Sequence, residues 1–229
     1  MSAQLPTEDS LENMMTGLRA TLDATNLARE RALRLSREVI QYSARTIRAV
    51  HRGEMENAAA LVREAKERVE SLMEALEEHP EVYFAGYVHD SQKEYVEAEV
   101  MIAIVGNGPI PSPATLGVQP AAYLNGIAEA ASESRRYVLD QLRTGEIDRA
   151  DAVLKIMDDI YYELITFDFP DAITGGLRRT TDALRAVLER TRGDLTLTLA
   201  QKRLEQALEQ ASAAADIPVS RVPGAPASA

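Results

Sequence analysis

Apolar residues recur at steps of three and four over most of this chain, the spacing of one face of an α-helix. From about Ser10 to Arg52 they run Leu18, Leu22, Ala28, Ala32, Leu35, Val39, Tyr42, Thr46, Ile47 and Val50, with no proline and only Gly17 between them. This predicts one long helix, which Gly53 closes. A second is predicted from about Glu54 to Glu78, stopped by His79 and Pro80, and a third from about Glu81 to Val105. The stretch Gly106 to Pro113, with three prolines, predicts a loop that Thr115 to Gln119 extends. Pro120 suits the first turn of a fourth helix ending near Thr144 and Gly145, and a fifth spans about Glu146 to Ile165 with Ile147, Leu154, Met157, Tyr161 and Leu164 facing inward. After the break Asp168-Phe169-Pro170-Asp171 the pattern resumes from about Ala172 to Ala213, weakened at Gly175, Gly176 and Gly193.

Strand signals are nearly absent and the links are short, so the expected fold is all-α, an antiparallel bundle of about six long helices. One domain is expected over residues 1–213. Residues 214–229, rich in Pro, Ser, Ala and Gly, are expected to form a disordered tail.

Charge narrows the function classes only as an average. The chain has 36 acidic against 25 basic residues, a formal net charge of -11, which disfavours non-specific attraction to nucleic acid by the protein as a whole. Local clusters then matter more than the mean. In the first predicted helix Arg34, Arg37, Arg45, Arg48 and Arg52 recur at near-helical steps and form a positive stripe, and Arg178, Arg179, Arg185, Arg190 and Arg192 form a second group. Either can neutralise phosphates or pair with acids within or between subunits. With no cysteine, disulfides, thiolate nucleophiles and Cys-based zinc sites are excluded. The first residues lack a basic and apolar leader, and no run approaches the roughly 18 apolar residues of a membrane span, so a soluble, cytoplasmic protein is expected.

The candidate chemistry lies in the third and fourth helices. Glu94 and Glu97 are three apart and share a face that continues to Met101 and Ile104; Glu129 and Glu133 are four apart, with Gly126 one turn earlier on the same face. A glycine there allows another backbone to come close. If the two helices are neighbours, the four glutamates can converge, and a cluster of like charges requires cations. Oxygen-only ligation favours Mg²⁺ or Mn²⁺, and such ions serve in-line phosphodiester displacement. The plainer alternative is that Glu129 and Glu133 line a solvated face while Glu94 and Glu97 pair with arginines. A di-iron bundle site is disfavoured because none of His51, His79 and His89 follows a glutamate by three.

Gln92-Lys93-Glu94-Tyr95-Val96-Glu97-Ala98, Tyr123-Leu124-Asn125-Gly126-Ile127-Ala128-Glu129 through Glu133-Ser134-Arg135-Arg136, and Gly176-Leu177-Arg178-Arg179-Thr180-Thr181-Asp182 together resemble the translin family, most of all its translin-associated factor X branch. Ser36-Arg37-Glu38-Val39-Ile40 also fits, and the resemblance spans Leu11 to Leu195 in order. It implies an all-helical protein that assembles into hollow oligomers, commonly octamers, and binds single-stranded RNA or DNA; a homo-oligomer is expected for this chain. In the factor X branch it also implies a Mg²⁺-dependent endoribonuclease whose catalytic, metal-holding positions match Glu94, Glu97, Glu129 and Glu133. Glu129 stands where the family usually has aspartate, one methylene shorter. Arg34, Arg37, Arg45 and Arg48 are the expected nucleic-acid contacts, and an oligomer that binds RNA without cutting it is the alternative.

Overall fold

The computed structural model describes residues 8–215, with side chains for 11–213. Six long helices carry the structure: α1 (Glu8–His51), α2 (Met55–Ala75), α4 (Gly86–Gly106), α6 (Pro120–Thr144), α7 (Ile147–Leu164) and α9 (Leu177–Ala215). Three single turns, α3 (Pro80–Tyr83), α5 (Pro113–Leu116) and α8 (Asp171–Thr174), punctuate the links. No strand occurs among the described residues. Apart from its first two residues, which continue α9, the tail expected at 214–229 lies outside the described residues. No described helix is long and apolar enough to cross a membrane.

The helices form two units of three, and within each unit successive helices turn back on one another. In the first, Arg68 of α2 reaches Glu38 of α1 while Met55 lies against Gly106 at the far end of α4. In the second, Arg149 of α7 meets Tyr137 of α6, and Arg192 of α9 meets Asp158 of α7. The units join along α4 and α6, which pack together at the middle of the molecule. These two helices run in the same direction: Gln92 bonds to Gln119, Lys93 to Glu129 and Ser134 to Met101, numbers rising together on both. Only a long crossover permits this, and residues 107–119 supply it.

The crossover is tied down at each end. Arg149 donates from Nη2 to the carbonyls of Ile104 (2.6 Å) and Val105 (3.0 Å), giving Val105 the partner that the last turn of α4 leaves open and Ile104 a second donor beside the Asn107 N–H. Further on, the Tyr123 hydroxyl donates to the Pro111 carbonyl, and the backbone N–H of Gln119 donates to the fully buried side chain of Gln92 at 2.9 Å.

Several features differ from the sequence expectation, among them the end of the second long helix, which stops at Ala75 and not at Glu78. The third long helix starts at Gly86, because the turn begun by Pro80 ends at Phe84 and Ala85 is extended. The loop after α4 contains one helical turn, since Ser112 accepts from the Thr115 N–H and Pro113 has no N–H to leave unpaired. The last helix starts at Leu177, because Gly175 and Gly176 take φ of +62° and +84°, conformations that break a right-handed helix. Gly193, by contrast, sits inside α9 without interrupting it.

Ala32, Leu35, Val39 and Val50 of α1 are buried as their spacing predicts, but Leu18 and Leu22 are 56% and 68% exposed. The first turns of α1 run beyond the bundle. The core lies around Tyr95, Val96, Met101 and Ile104 of α4, with Ala128 and Ala131 of α6 and Met157 and Leu164 of α7. Tyr95, fully buried, donates to Glu99 at 2.9 Å and belongs to this packing.

Candidate metal centre

Gly126 sets the separation of α4 and α6. A Cβ built there would lie 2.6 Å from Val96 Cβ and 2.8 Å from the Lys93 carbonyl oxygen, so the two backbones approach as only glycine allows. One turn further on, Glu129 faces the stripe headed by Glu94 and Glu97. Carboxylate oxygens of Glu94, Glu97 and Glu129 all lie within 4.8 Å of one another, each side chain part-buried. Three of the four predicted acids therefore converge as their helical spacing requires.

Glu133 does not join the three. Its Oε1 is 2.6 Å from Nε2 of His51, a ring from the last turn of α1 whose side chain is only 2% exposed. His51 Nδ1 has no hydrogen-bond partner among the described residues. The His51 bond is the main cause that holds the Glu133 carboxyl below its ordinary range, and it outweighs burial. Glu97 is pushed the other way, up to about 8, first by burial and then by the neighbouring charges of Glu94, Glu129 and Glu133. Burial also raises Glu94, although Lys93 opposes it.

Lys93 is the cation already among them. Its Nζ lies 2.8 Å from both Glu129 oxygens and 3.8 Å from Glu94. Burial works against its charge, but the bond to Glu129 and the surrounding carboxylates raise its pKa. The alternative in which Glu94 and Glu97 pair with arginines is not what the structure shows: the neighbouring cation is a lysine. Neither Lys93 nor His51 was singled out from sequence. Lys93 stands one helical turn before Glu97, so the spacing rule that joined Glu94 to Glu97 also reaches it; His51 is 82 residues from Glu133 and leaves no local signal.

The donor set suits a hard divalent ion: oxygen only, drawn from two packed helices, and with too much negative charge to stay fully ionised alone. Beside Lys93 and Glu129 a groove of about 890 Å³ opens, lined also by Phe84, His89, Asp90 and Arg179. The Phe84 ring, 74% exposed, stands edge-on to Tyr83 at a centroid distance of 4.9 Å.

Arg34, Arg37, Arg45 and Arg48 are all exposed along one face of α1. Arg34 lies 3.7 Å from Glu38, whereas Arg37, Arg45 and Arg48 make no ion pair among the described residues. Arg45 instead covers the Tyr42 ring at 5.5 Å, beside Arg68 at 4.9 Å. Arg48 precedes His51 by three residues, so the stripe ends next to the ring that holds Glu133. In the second arginine group Arg192 is paired with Asp158, and Arg179 opens onto the groove.

No protein-family model matches the sequence. The uncharacterised protein MJ0175 of Methanocaldococcus jannaschii is 31% identical over 184 residues, 80% of this chain and 81% of that protein. Among solved structures, AfC3PO is 35% identical with a TM-score of 0.77, covering 82% of this chain and 98% of that one. The same protein in complex with duplex RNA is 34% identical with a TM-score of 0.76, covering 82% and 97%. Apo-NeC3PO, at 22% identity and a TM-score of 0.68 over 86% of this chain and all of that one, shares the fold. With six long helices in this arrangement and a third of its residues shared with AfC3PO across nearly that whole chain, the protein belongs to the translin family.

Proposed function

We propose that this protein is a cytoplasmic, homo-oligomeric endoribonuclease of the translin-associated factor X type, acting on unpaired RNA with Mg²⁺ or Mn²⁺ held by Glu94, Glu97 and Glu129. The convergence of those three carboxylates within 4.8 Å, on two helices pressed together at Gly126, carries the reading. AfC3PO, a relative sharing a third of its residues, has been solved with duplex RNA, which supports RNA as the ligand class. When bound, the ion would supply activation of water and stabilisation of the charge that develops on phosphate oxygens.

The chain's own residues would do the rest. Glu94, Glu97 and Glu129 present the ligand oxygens, and Glu97 releases its proton as the ion binds. Glu133, held by His51, keeps a fixed carboxylate one turn beyond Glu129 and would serve as the acceptor of the proton that the attacking water must lose. Arg37, Arg45 and Arg48, without an acidic partner among the described residues, would draw the phosphate backbone to the α1 face, and Phe84 offers a ring on which an unpaired base can stack.

The test is incubation of the purified protein with labelled single-stranded RNA and Mg²⁺. Cutting is expected for the parent and its loss by at least about a hundredfold for Glu97→Gln, as for removal of groups that act on developing charge. Equal cutting by both proteins would refute the assignment. A second reading, an RNA-binding oligomer that does not cut, is favoured by one observation: both oxygens of Glu129, the residue where the family usually has aspartate, are already taken by Lys93. It predicts RNA retention in EDTA and intact RNA with every divalent ion tried.

A further inference from the structure

We propose that Lys93 is a built-in second cation of the carboxylate site, so that each chain takes one divalent ion where the converging carboxylates would otherwise accept two. The inference rests on the metal-site reading above and specifies how many ions that site holds. Sites with two ions place them about 3.5–4 Å apart and stabilise attacking and leaving oxygens together. Carboxylates that serve such a pair must have oxygens free to face both. Here one ammonium lies 2.8 Å from each oxygen of Glu129 and 3.8 Å from Glu94. It occupies the position from which a second ion would use Glu129, and its charge repels one nearby.

The remaining acids agree with that count. Glu133 has one oxygen engaged by a ring that is 98% buried, and its carboxylate oxygens fall outside the group of three. Glu94 and Glu97 are left without a short bond to any cation among the described residues, and their two negative charges match one divalent ion. Lys93 is only 20% exposed, so water screens its charge weakly. A lysine suits this place because its ammonium is a compact charge with three donors, enough to hold both Glu129 oxygens and still face a third acceptor. Since Lys93 also lines the groove, a phosphate oxygen of a bound strand would meet that remaining donor.

The experiment is titration of the full-length protein with Mn²⁺ alone, read by calorimetry and by the electron paramagnetic resonance of the bound ion. The parent is expected to take one Mn²⁺ per chain and give the sharp six-line spectrum of an isolated ion, and Lys93→Arg, which keeps the charge, to do the same. Lys93→Met and Lys93→Gln, with helical content matching the parent, should take two per chain and show the broadened spectrum of a coupled pair. Two ions in the parent overturn the proposal without recourse to any variant, and so does one ion in both neutral variants. Glu97→Gln reports separately on the underlying site: if it and the parent bind Mn²⁺ equally, or neither binds it, the metal centre itself is wrongly placed.

Discussion

Glu97 sits where burial and three like-charged neighbours act together, and its proton links metal, pH and stability. Its folded value of about 8 is above the ordinary 4.5, so between those values the folded chain holds a proton that the unfolded chain has lost. Stability therefore falls as pH rises, from full benefit below about 4.5 to none above about 8. In EDTA the melting temperature should drop between pH 5 and pH 8.5, and Glu97→Gln, neutral throughout, should flatten most of that slope; an unchanged slope would place the proton elsewhere. Glu133 behaves oppositely: its depressed value gives stability that is present above 4.5 and lost as pH falls through the folded value. His51→Ala removes the bond responsible, and urea unfolding should show a loss of about 1–2 kcal/mol at neutral pH, since hydrogen bonds to charged groups contribute about 1.5–3 kcal/mol and Glu133 is partly in water. The loss should shrink in acid, where Glu133 is protonated in either protein.

At the scale of helices, the α4 and α6 pair depends on one missing methyl. Gly126→Ala adds a Cβ 2.6 Å from that of Val96, and neither a β-branched side chain nor a backbone carbonyl can move out of its way cheaply. Overpacking of this kind costs about 1–3 kcal/mol, against a gain of about 1 kcal/mol in helix propensity. Chemical denaturation should show a net loss, and Mn²⁺ affinity should fall at least severalfold because the ligands ride on the separating helices. This contact was legible in the sequence, because a glycine on the face shared by Glu129 and Glu133 has few other uses. So were the six long helices and the pairing of Glu94 with Glu97, since each follows from spacing along one element. What sequence left hidden depends on bonds between elements. Ser112 capping a one-turn helix in a proline-rich loop, Arg149 closing the end of α4 and His51 drawing Glu133 aside are each set by one contact that no periodicity encodes. The arginine stripe of α1 lies between these cases: its face was readable, whereas the lack of an acidic partner for Arg37, Arg45 and Arg48 among the described residues required coordinates. If Arg37, Arg45 and Arg48 each meet a phosphate, replacing all three by Gln should lower the salt dependence of single-stranded RNA binding by about 2 in log–log slope, at about 0.7 per phosphate. An unchanged slope would move the strand to another face.

For the molecule as a whole, the open question posed by the fold is what covers the start of α1. Leu11, Met15, Leu18 and Leu22 follow one another at steps of four, three and four, the seam spacing of packed helices, and are 43% to 68% exposed. Residues 11–27 extend roughly 25 Å at 1.5 Å per residue, and a helix of that length is marginal in water when nothing packs against it. Soluble chains rarely leave so continuous an apolar stripe to solvent, whereas a symmetric assembly buries the same stripe once in each subunit. At the opposite terminus Leu204 and Leu208 of α9 are similarly bare, 61% and 56% exposed. The homo-oligomer in the proposed function gives both stripes a partner, a second copy of this chain. Leu18→Glu combined with Leu22→Glu should then reduce the mass measured by light scattering to a smaller species, while leaving near-neutral Mn²⁺ binding intact because the carboxylate site lies wholly between α4 and α6 of one chain. If the mass does not change, assembly does not use this stripe; if Mn²⁺ binding is lost with the mass, the site requires a neighbour that its own geometry does not call for.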